Sequence, residues 1–220
     1  MSEVPSPLED PRKLRLPSLY AIVDSAFFPG QGDRASRVAD FAAELVGAGA
    51  SLLQYRNKGG SARQMLSEAR ELRRRLGLEV RLIMNDRADL CLAADFDGVH
   101  LGQDDLSVEG ARLVVGSKLL VGISTHTLDQ VRAAARTSAD YIAVGPVFPS
   151  TSKLGPDPPL GLDGVRAART LTDKPLVAIG GINRANCLSV IKAGANSVAV
   201  ISDLLQDPGK SVAQFRSVLG

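Results

Sequence analysis

Five charged side chains follow four short apolar segments of the chain, at the points where β-branched residues give way to polar ones. The cations are Arg56, Lys58 and Lys153, and the carboxylates are Asp86 and Asp105. The cations could converge on one polyanion, and the arginine fork suits bidentate contact with phosphate. Two carboxylates beside such a ligand, with room for water, suit Mg²⁺. The alternative is that each charge pairs with another at a solvated rim.

A glycine- and proline-rich stretch, GPVFPSTSKLGPDPPLG at residues 145–161, carries three hydroxyl groups directly before Lys153. They belong to Ser150, Thr151 and Ser152. Glycine, proline and serine are common in ordinary solvated turns. Hydroxyls beside an ammonium group also suit a phosphate, so the stretch is either a solvated turn or a phosphate-binding loop.

Eight short apolar segments predict the strands that position these residues. They are LYAIVD, ASLLQYR, VRLIMND, GVHLG, LLVGIST, YIAVGPVF, LVAIGG and SVAVIS. They are apolar nearly throughout rather than alternating, which indicates parallel strands buried on both faces. Amphipathic stretches between them predict helices, and Ser61 with Gln64 and Thr127 with Gln130 fit capping boxes at two helix starts.

Eight alternations of strand and helix predict an α/β fold with a single (β/α)8 TIM barrel. A doubly wound open sheet is the alternative, but no G-x-G-x-x-G follows the first strand. Catalytic groups of such barrels lie at the carboxyl ends of the strands, where all five charges fall. Their concentration on one face favours a ligand site over a set of rim ion pairs.

The ends of the last two strands suggest a separate monophosphate site. Barrels frequently hold a phosphate with the loops after strands 7 and 8 and the N-terminus of a helix. In AIGGINRAN, Gly181 would allow the backbone to approach a ligand, and Asn183 could cap the next helix. In VISD, Ile201 and Ser202 follow strand 8.

The remaining reactive residues point to no other chemistry. His100 lies inside GVHLG, which favours a hydrogen-bonded barrel histidine over a ligand, whereas His126 at a strand end could face the site. Neither histidine has a partner at zinc-site spacing, and no G-x-S-x-G elbow is present. Cys91 and Cys187 fall in predicted helices and suit reduced thiols in a cytosolic enzyme.

Composition limits the partners and the domain count. The 220 residues fit one domain, and 26 Lys and Arg against 24 Asp and Glu give no overall field for nucleic acid or a membrane. The run from Arg73 to Arg75 lies among acids at helical spacing and indicates a solvated helix face. Residues 1–18 lack an apolar core and read as a flexible leader, with the barrel at 19–220, so we expect a cytoplasmic protein.

The motifs together resemble the thiamine-phosphate synthase family over nearly the whole chain after the leader. In order they are QYRNK at 54–58, ND at 85–86, HLGQDD at 100–105, STH at 124–126, GPVFPSTSK at 145–153, IGGI at 179–182 and VIS at 200–202. The resemblance implies a transferase that joins an aminopyrimidine diphosphate to a thiazole phosphate, or to its carboxylated form, with Mg²⁺ assisting the departure of pyrophosphate. It implies small-molecule substrates and allows a homo-oligomer.

The resemblance also implies roles for individual residues. The pyrimidine diphosphate would be bound by Gln54, Tyr55, Arg56, Asn57, Lys58, Asn85, Ser124 and Lys153, of which Arg56, Lys58, Ser124 and Lys153 would be catalytic. Mg²⁺ would be bound by Asp86 and Asp105. The thiazole phosphate would be bound by Ser150, Thr151, Ser152, Gly181, Ile201 and Ser202. Tyr55 and Asn57 differ from the common family residues, and strand alternation predicts that their side chains point away from the site.

Two other functions are compatible with parts of this pattern. A thiazole phosphate tautomerase of related fold would keep the monophosphate site but would not need a pyrophosphate site. A sensor that binds thiazole or thiamine phosphate would not need metal ligands. The combination of Arg56, Lys58 and Lys153 with Asp86 and Asp105 favours the synthase over both.

Overall fold

A computed structural model describes residues 14–30, 32–149 and 158–220. Its eight parallel strands form a closed barrel in chain order, which confirms the predicted (β/α)8 fold. The strands are β1 Leu19–Asp24, β2 Leu52–Arg56, β3 Arg81–Asn85, β4 Gly98–Leu101, β5 Leu120–Thr125, β6 Tyr141–Val144, β7 Leu176–Ile179 and β8 Ser197–Val200. Pairing of β1 with both β2 and β8 closes the sheet.

Eight helices alternate with the strands and cover the outside of the barrel. They are α1 Arg34–Gly47, α2 Ala62–Leu76, α3 Ala88–Ala93, α4 Val108–Val115, α5 Leu128–Ala135, α6 Gly161–Arg169, α7 Cys187–Lys192 and α8 Pro208–Leu219. Short 3-10 helices follow β1 and β8, at Ser25–Phe27 and Ser202–Leu204. None of the helices in the described part of the chain combines the length and the apolar character needed to cross a bilayer.

The strands are buried on both faces, as their apolar sequences predict. Outward side chains join the helices in the larger core, and inward ones form a second cluster inside the barrel. Leu14 and Leu16 pack against this inner cluster just before β1 begins. This part of the predicted leader therefore belongs to the barrel, while residues 1–13 lie outside the described ranges.

The predicted capping boxes differ in detail. Ser61 and Gln64 form the complete reciprocal box at the start of α2. Thr127 accepts a hydrogen bond from the Gln130 N–H, but the Gln130 side chain accepts from the His126 N–H at 2.6 Å instead of from Thr127. The second box is therefore incomplete, and Gln130 instead fixes the backbone of a strand-end residue.

Arginines from three even-numbered helices bind the amino-terminal ends of the strands, at what we call the bottom clamps. Arg73 of α2 donates to Asp97, which also accepts the Leu82 N–H. The same arrangement recurs in α4 and α6. In α4, Arg112 donates to Asp140, which also accepts the Val121 N–H. In α6, Arg169 donates to Asn196, which also accepts the Leu176 N–H.

The clamps correct the interpretation of the three-arginine run. Arg74 pairs with Glu71 and Arg75 with Asp40 on the helix surface, as a solvated face requires. The Arg73 side chain is only 10% exposed, and it also donates to the backbone oxygens of Gly77 and Asp95. For Arg73 the prediction of a solvated position was wrong, because helical spacing alone does not show which members of a run turn toward the barrel.

Candidate active site

A cavity of about 700 Å³ opens among the carboxyl ends of the strands, and we call it the mouth cavity. Its lining combines polar and charged side chains from β2 to β5 with apolar ones from β6 to β8. The lining residues are Tyr20, Ile22, Gln54, Arg56, Lys58, Asn85, Asp86, His100, Gly102, Gln103, Asp104, Asp105, Ser124, His126, Ala143, Val177, Ile179, Ala199 and Ile201. A polar half thus faces an apolar half across the barrel.

Arg56 is held at the cavity by a residue that sequence reasoning missed. The last residue of β1, Asp24, is 3% exposed and pairs with the Arg56 guanidinium. The other carboxylate oxygen of Asp24 accepts the Ala26 N–H at 3.0 Å, which fixes the carboxylate in turn. The signal was available, because Asp24 is a charged residue at a strand end like those that were selected.

Two carboxylates and an ammonium group meet at the ends of β2, β3 and β4. Lys58 pairs with Asp86, and the Asp86 carboxyl group lies close enough to that of Asp105 for the two to affect each other's ionisation. Burial, together with the neighbouring Asp105, raises the pKa of Asp86 above its ordinary value. Burial opposes ionisation of Asp105 as well, but hydrogen bonds from Asp86 and the Gly102 N–H outweigh it and lower the Asp105 pKa. The Asp86 and Asp105 carboxyl groups are therefore arranged to share either one bound cation or one proton.

Amide and hydroxyl groups occupy the same polar half. Gln54 and Ser124 line the cavity from β2 and β5, and both side chains are buried. Asn85 lines it from β3, and its buried Nδ2 makes no hydrogen bond among the described residues. A buried amide without an acceptor carries a free-energy cost, which a ligand oxygen or nitrogen at this place would remove.

Tyr55 and Asn57 do not line the mouth cavity, although they were predicted among the pyrimidine-binding residues. The Tyr55 hydroxyl donates to the buried Glu68 of α2 at 2.5 Å, and Asn57 Nδ2 donates to the same carboxylate at 3.2 Å. Asn57 Oδ1 accepts the N–H groups of Gly59 and Gly60. Alternation along β2 turns Tyr55 toward α2, and Asn57, just after the strand, contacts the same Glu68 carboxylate and shapes the turn that carries Lys58.

The predicted monophosphate residues are only partly brought together. Ile201 lines the cavity, while Ser202 is exposed and begins a 3-10 helix. Ser150, Thr151, Ser152 and Lys153 lie outside the described residues. Asn183 does not cap α7; its side chain accepts the Ala185 N–H in a local turn before the helix.

Gly181 is required by a close contact within the chain. Its φ is +65°, and a Cβ there would lie 2.5 Å from the Pro149 oxygen. The loops after β6 and β7 are joined by backbone hydrogen bonds from the Val147 N–H to Ile179 and from the Phe148 N–H to Gly180. The predicted approach of Gly181 to a ligand remains a prediction, but its approach to the loop that leads to residue 150 is observed.

Both histidines lie in the cavity wall. His100 is hydrogen-bonded at both ring nitrogens, to Tyr141 and Ser124, which confirms the predicted barrel histidine. His126 Nδ1 is 2.7 Å from the Gly145 oxygen. Gln103 and Asp104 also line the cavity, and Gln103 donates to the Ser124 backbone oxygen at 2.6 Å.

Comparison with known proteins agrees with this geometry. The family model described as thiamine monophosphate synthase matches residues 19–204. The chain belongs to this family. A thiamine-phosphate synthase from Koribacter versatilis is 59% identical over 206 residues, covering 94% of this chain and 97% of the relative. One from Chloroflexus aurantiacus is 46% identical, covering 91% and 92%.

A solved structure gives the same result. The chain is similar to thiamine phosphate pyrophosphorylase from Pyrococcus furiosus, with a TM-score of 0.79 and 29% identity over 92% of this chain and 95% of that one. The family resemblance drawn from the motifs is therefore confirmed, and the chain is an enzyme of thiamine phosphate synthesis. The tautomerase alternative is not supported, because these relatives carry the synthase name.

Proposed function

We propose that the polar half of the mouth cavity binds the pyrimidine diphosphate and that the opposite side binds the thiazole phosphate. The observation that carries the proposal is the meeting of Arg56, Lys58 and the Asp86–Asp105 pair in one cavity. Cations alone would suit any phosphate, but two adjoining carboxylates beside them suit a ligand whose negative charge is shared with a metal ion. The proposed substrates follow from the family resemblance.

The two carboxylates fit Mg²⁺. Among the described residues no group of three or more His, Cys, Asp or Glu side chains could hold a metal ion by itself. Asp86 and Asp105 would supply two oxygen-donor side chains. Mg²⁺ usually takes one or two carboxylates and completes its octahedron with water and substrate oxygens. When bound by Asp86 and Asp105, the ion would supply positive charge to the departing diphosphate.

The side chains of the site have separate tasks. Arg56, oriented by Asp24, would bind diphosphate oxygens through its fork, and Lys58 at the adjacent turn would add a second positive charge. Asn85 would donate to the pyrimidine diphosphate through its unpartnered Nδ2. Gln54 and Ser124 would orient the pyrimidine ring, and Lys153 would reach the diphosphate from the β6 loop.

The thiazole phosphate would be bound by Ser150, Thr151 and Ser152, with Gly181, Ile201 and Ser202. The joined loops after β6 and β7 support this grouping, because they bring Pro149 next to Gly181. The apolar wall of Val177, Ala199 and Ile201 would exclude water from the reacting carbon.

The reaction needs no proton transfer from the protein. The bond between the pyrimidine methylene carbon and the diphosphate oxygen breaks, and its electron pair leaves with the diphosphate. The thiazole nitrogen supplies the pair for the new carbon–nitrogen bond. The residues therefore act by neutralising the leaving group and aligning the nucleophile.

The test is to mix the protein with both substrates and Mg²⁺ and to measure thiamine phosphate after its oxidation to a fluorescent product. We expect product formation that depends on Mg²⁺, and we expect Asp105→Ala to reduce turnover by about 10²-fold or more. Asp129→Ala is the matched control, because Asp129 is 90% exposed and lies on α5. Absence of product with any divalent metal would refute the proposal, and unchanged turnover in Asp105→Ala would remove this residue from the metal site.

From the composition and the family resemblance we also propose that the protein is cytoplasmic, binds no nucleic acid and can form a homo-oligomer.

A further inference from the structure

Five side chains form a continuous hydrogen-bond chain across the inside of the barrel, which we call the inner chain. Gln54 Nε2 lies 3.0 Å from the Tyr20 hydroxyl, and Tyr20 lies 3.0 Å from the Tyr141 hydroxyl. Tyr141 lies 3.0 Å from His100 Nδ1, and His100 Nε2 lies 2.8 Å from Ser124 Oγ. Both ends, Gln54 and Ser124, line the mouth cavity.

The direction of these bonds can be worked out from one end. Tyr20 accepts from the Gln54 amide, and either tyrosine hydroxyl could donate in the contact between them. A buried hydroxyl proton needs an acceptor, so we take the arrangement in which the Tyr20 proton goes to Tyr141. The Tyr141 proton then goes to His100 Nδ1, which makes His100 the neutral Nε2–H tautomer and a donor to Ser124. Burial raises the pKa of both tyrosine hydroxyls, so both keep their protons.

This direction sets what each end offers to a ligand. Gln54 uses its nitrogen on Tyr20, which leaves Oε1 as a hydrogen-bond acceptor for the cavity. Ser124 accepts from His100, which leaves its own O–H as a donor for the cavity. If the Gln54 amide were turned over, Tyr20 would have to donate to it, and every later bond would reverse until Ser124 became an acceptor. The two ends are therefore coupled, although Tyr20 and Tyr141 lie between them.

We propose that Tyr20 and Tyr141 determine specificity for an aminopyrimidine ring by holding Gln54 as an acceptor and Ser124 as a donor. The inference rests on the proposed binding of the pyrimidine between these two ends. An aminopyrimidine has an amine that donates and ring nitrogens that accept, which matches this pair. In the lactam form of a 4-oxo ring, a carbonyl acceptor replaces the amine donor and a ring N–H donor replaces a ring-nitrogen acceptor. Such a ring would fit only if the whole inner chain reversed.

The experiment measures binding of two non-reacting probes by competition with the synthase reaction. The probes are the monophosphates of 4-amino- and 4-oxo-2-methyl-5-hydroxymethylpyrimidine. Wild-type protein is expected to prefer the amino probe by on the order of 100-fold, as for a buried polar group that meets the wrong partner. In Tyr20→Phe and in Tyr141→Phe, Gln54 can turn over independently, so the preference is expected to fall to within about tenfold.

Two further measurements separate this role from a loss of packing. The double variant should show the same preference as each single variant, because a chain that is already broken cannot be broken again. Tyr55→Phe is the matched control: it removes a buried tyrosine hydroxyl that bonds outside the cavity, and it should leave the preference at the wild-type value.

The possible failures are distinguishable. A wild-type preference near one would overturn the placement of the pyrimidine between Gln54 and Ser124, and the role of the tyrosines with it. A wild-type preference that persists in both tyrosine variants would overturn the role of the tyrosines alone. If the variants do not fold, ¹⁵N NMR of wild-type His100 decides, since the Nδ1–H tautomer would contradict the proposed direction.

Discussion

The third bottom clamp contains an amide where the other two contain a carboxylate, and this difference gives a quantitative prediction. Asn196 Oδ1 accepts from Arg169 Nη1 at 2.9 Å and from the Leu176 N–H at 2.8 Å. Asp140 makes the equivalent bonds at 2.7 Å, to Arg112 and the Val121 N–H. Asn196→Asp should therefore convert the third clamp to the form of the second without changing its shape.

The expected gain follows from the type of bond. A hydrogen bond to a charged group contributes about 1 kcal/mol more to the free energy of unfolding than a neutral hydrogen bond does. The clamp has two such bonds, and their contribution is smaller than for a buried site because Asn196 is exposed. Burial also lowers the pKa of Arg169, so a carboxylate beside it would favour its charged form. We expect Asn196→Asp to raise the free energy of unfolding by about 1 kcal/mol, or the melting temperature by about 2–4 °C.

The reciprocal substitution is the matched control. Asp140→Asn should lower the free energy of unfolding by about 1 kcal/mol, because the Arg112 side chain is only 18% exposed and loses its carboxylate. Urea unfolding with linear extrapolation measures both changes, and an unchanged slope shows that the unfolded state is unaffected. Turnover should stay at the wild-type value in both variants, since the clamps lie at the opposite end of the strands from the mouth cavity.

The reasoning would be refuted if Asn196→Asp lowered the midpoint of urea unfolding, or if Asp140→Asn left it unchanged. Either result would mean that the charge of the clamp residue does not contribute at this degree of exposure. The two variants belong to different clamps, and Asn196 and Asp140 have no hydrogen-bond partner in common, so we expect their effects on stability to be nearly additive.

Three other predictions concern the site and its supports. Glu68→Gln should lower the free energy of unfolding by about 2–3 kcal/mol, because Arg34, Tyr55 and Asn57 all donate to this buried carboxylate. Urea unfolding measures this change, and a loss below about 0.5 kcal/mol would contradict the prediction. Gly181→Ala should raise the KM for thiazole phosphate more than that for the pyrimidine diphosphate, because the added Cβ would meet the Pro149 oxygen. Gly77→Ala is the control: Gly77 has a similar φ of +69°, a Cβ added there would have no neighbouring atom within 4 Å, and neither KM should change. Asp86→Asn should stabilise the metal-free protein at pH 7 while abolishing Mg²⁺-dependent turnover. The pKa of Asp86 is raised in the folded protein, so the wild-type protein loses stability as the pH rises through that pKa. The gain in melting temperature from the substitution should therefore disappear in acid, and a gain that persists there would contradict the assignment.

Much of the fold could be predicted because the barrel strands are buried on both faces and read as separate apolar runs. β1 and the strand residues of β5 fall inside the predicted segments, and the helix start at Ser61 follows from its local capping box. The bottom clamps could not be predicted in this way. They join an arginine to residues of a later loop, and helical spacing did not distinguish Arg73 from Arg74 or Arg75.

The site divides in the same manner. Arg56, Lys58, Asp86 and Asp105 could be found because they end strands, and the end of a parallel strand is a position that sequence reveals. Tyr20 and Tyr141 belong to the inner chain but read as ordinary apolar strand residues. Their role depends on hydroxyl contacts across the barrel, between residues 20 and 141, which no local pattern encodes.

The bottom clamps also bear on the order in which the barrel forms. The arginine and its acceptor are separated by 24, 28 and 27 residues in the three clamps, so each closes a short loop. Closure of the barrel, by contrast, joins Leu19 of β1 to Val198 of β8. Because short loops cost less entropy to close, pairs of strands can be fastened at one end before the two ends of the sheet meet. The three clamps would then form one after another during folding, and the mouth cavity would be completed only when β1 pairs with β8.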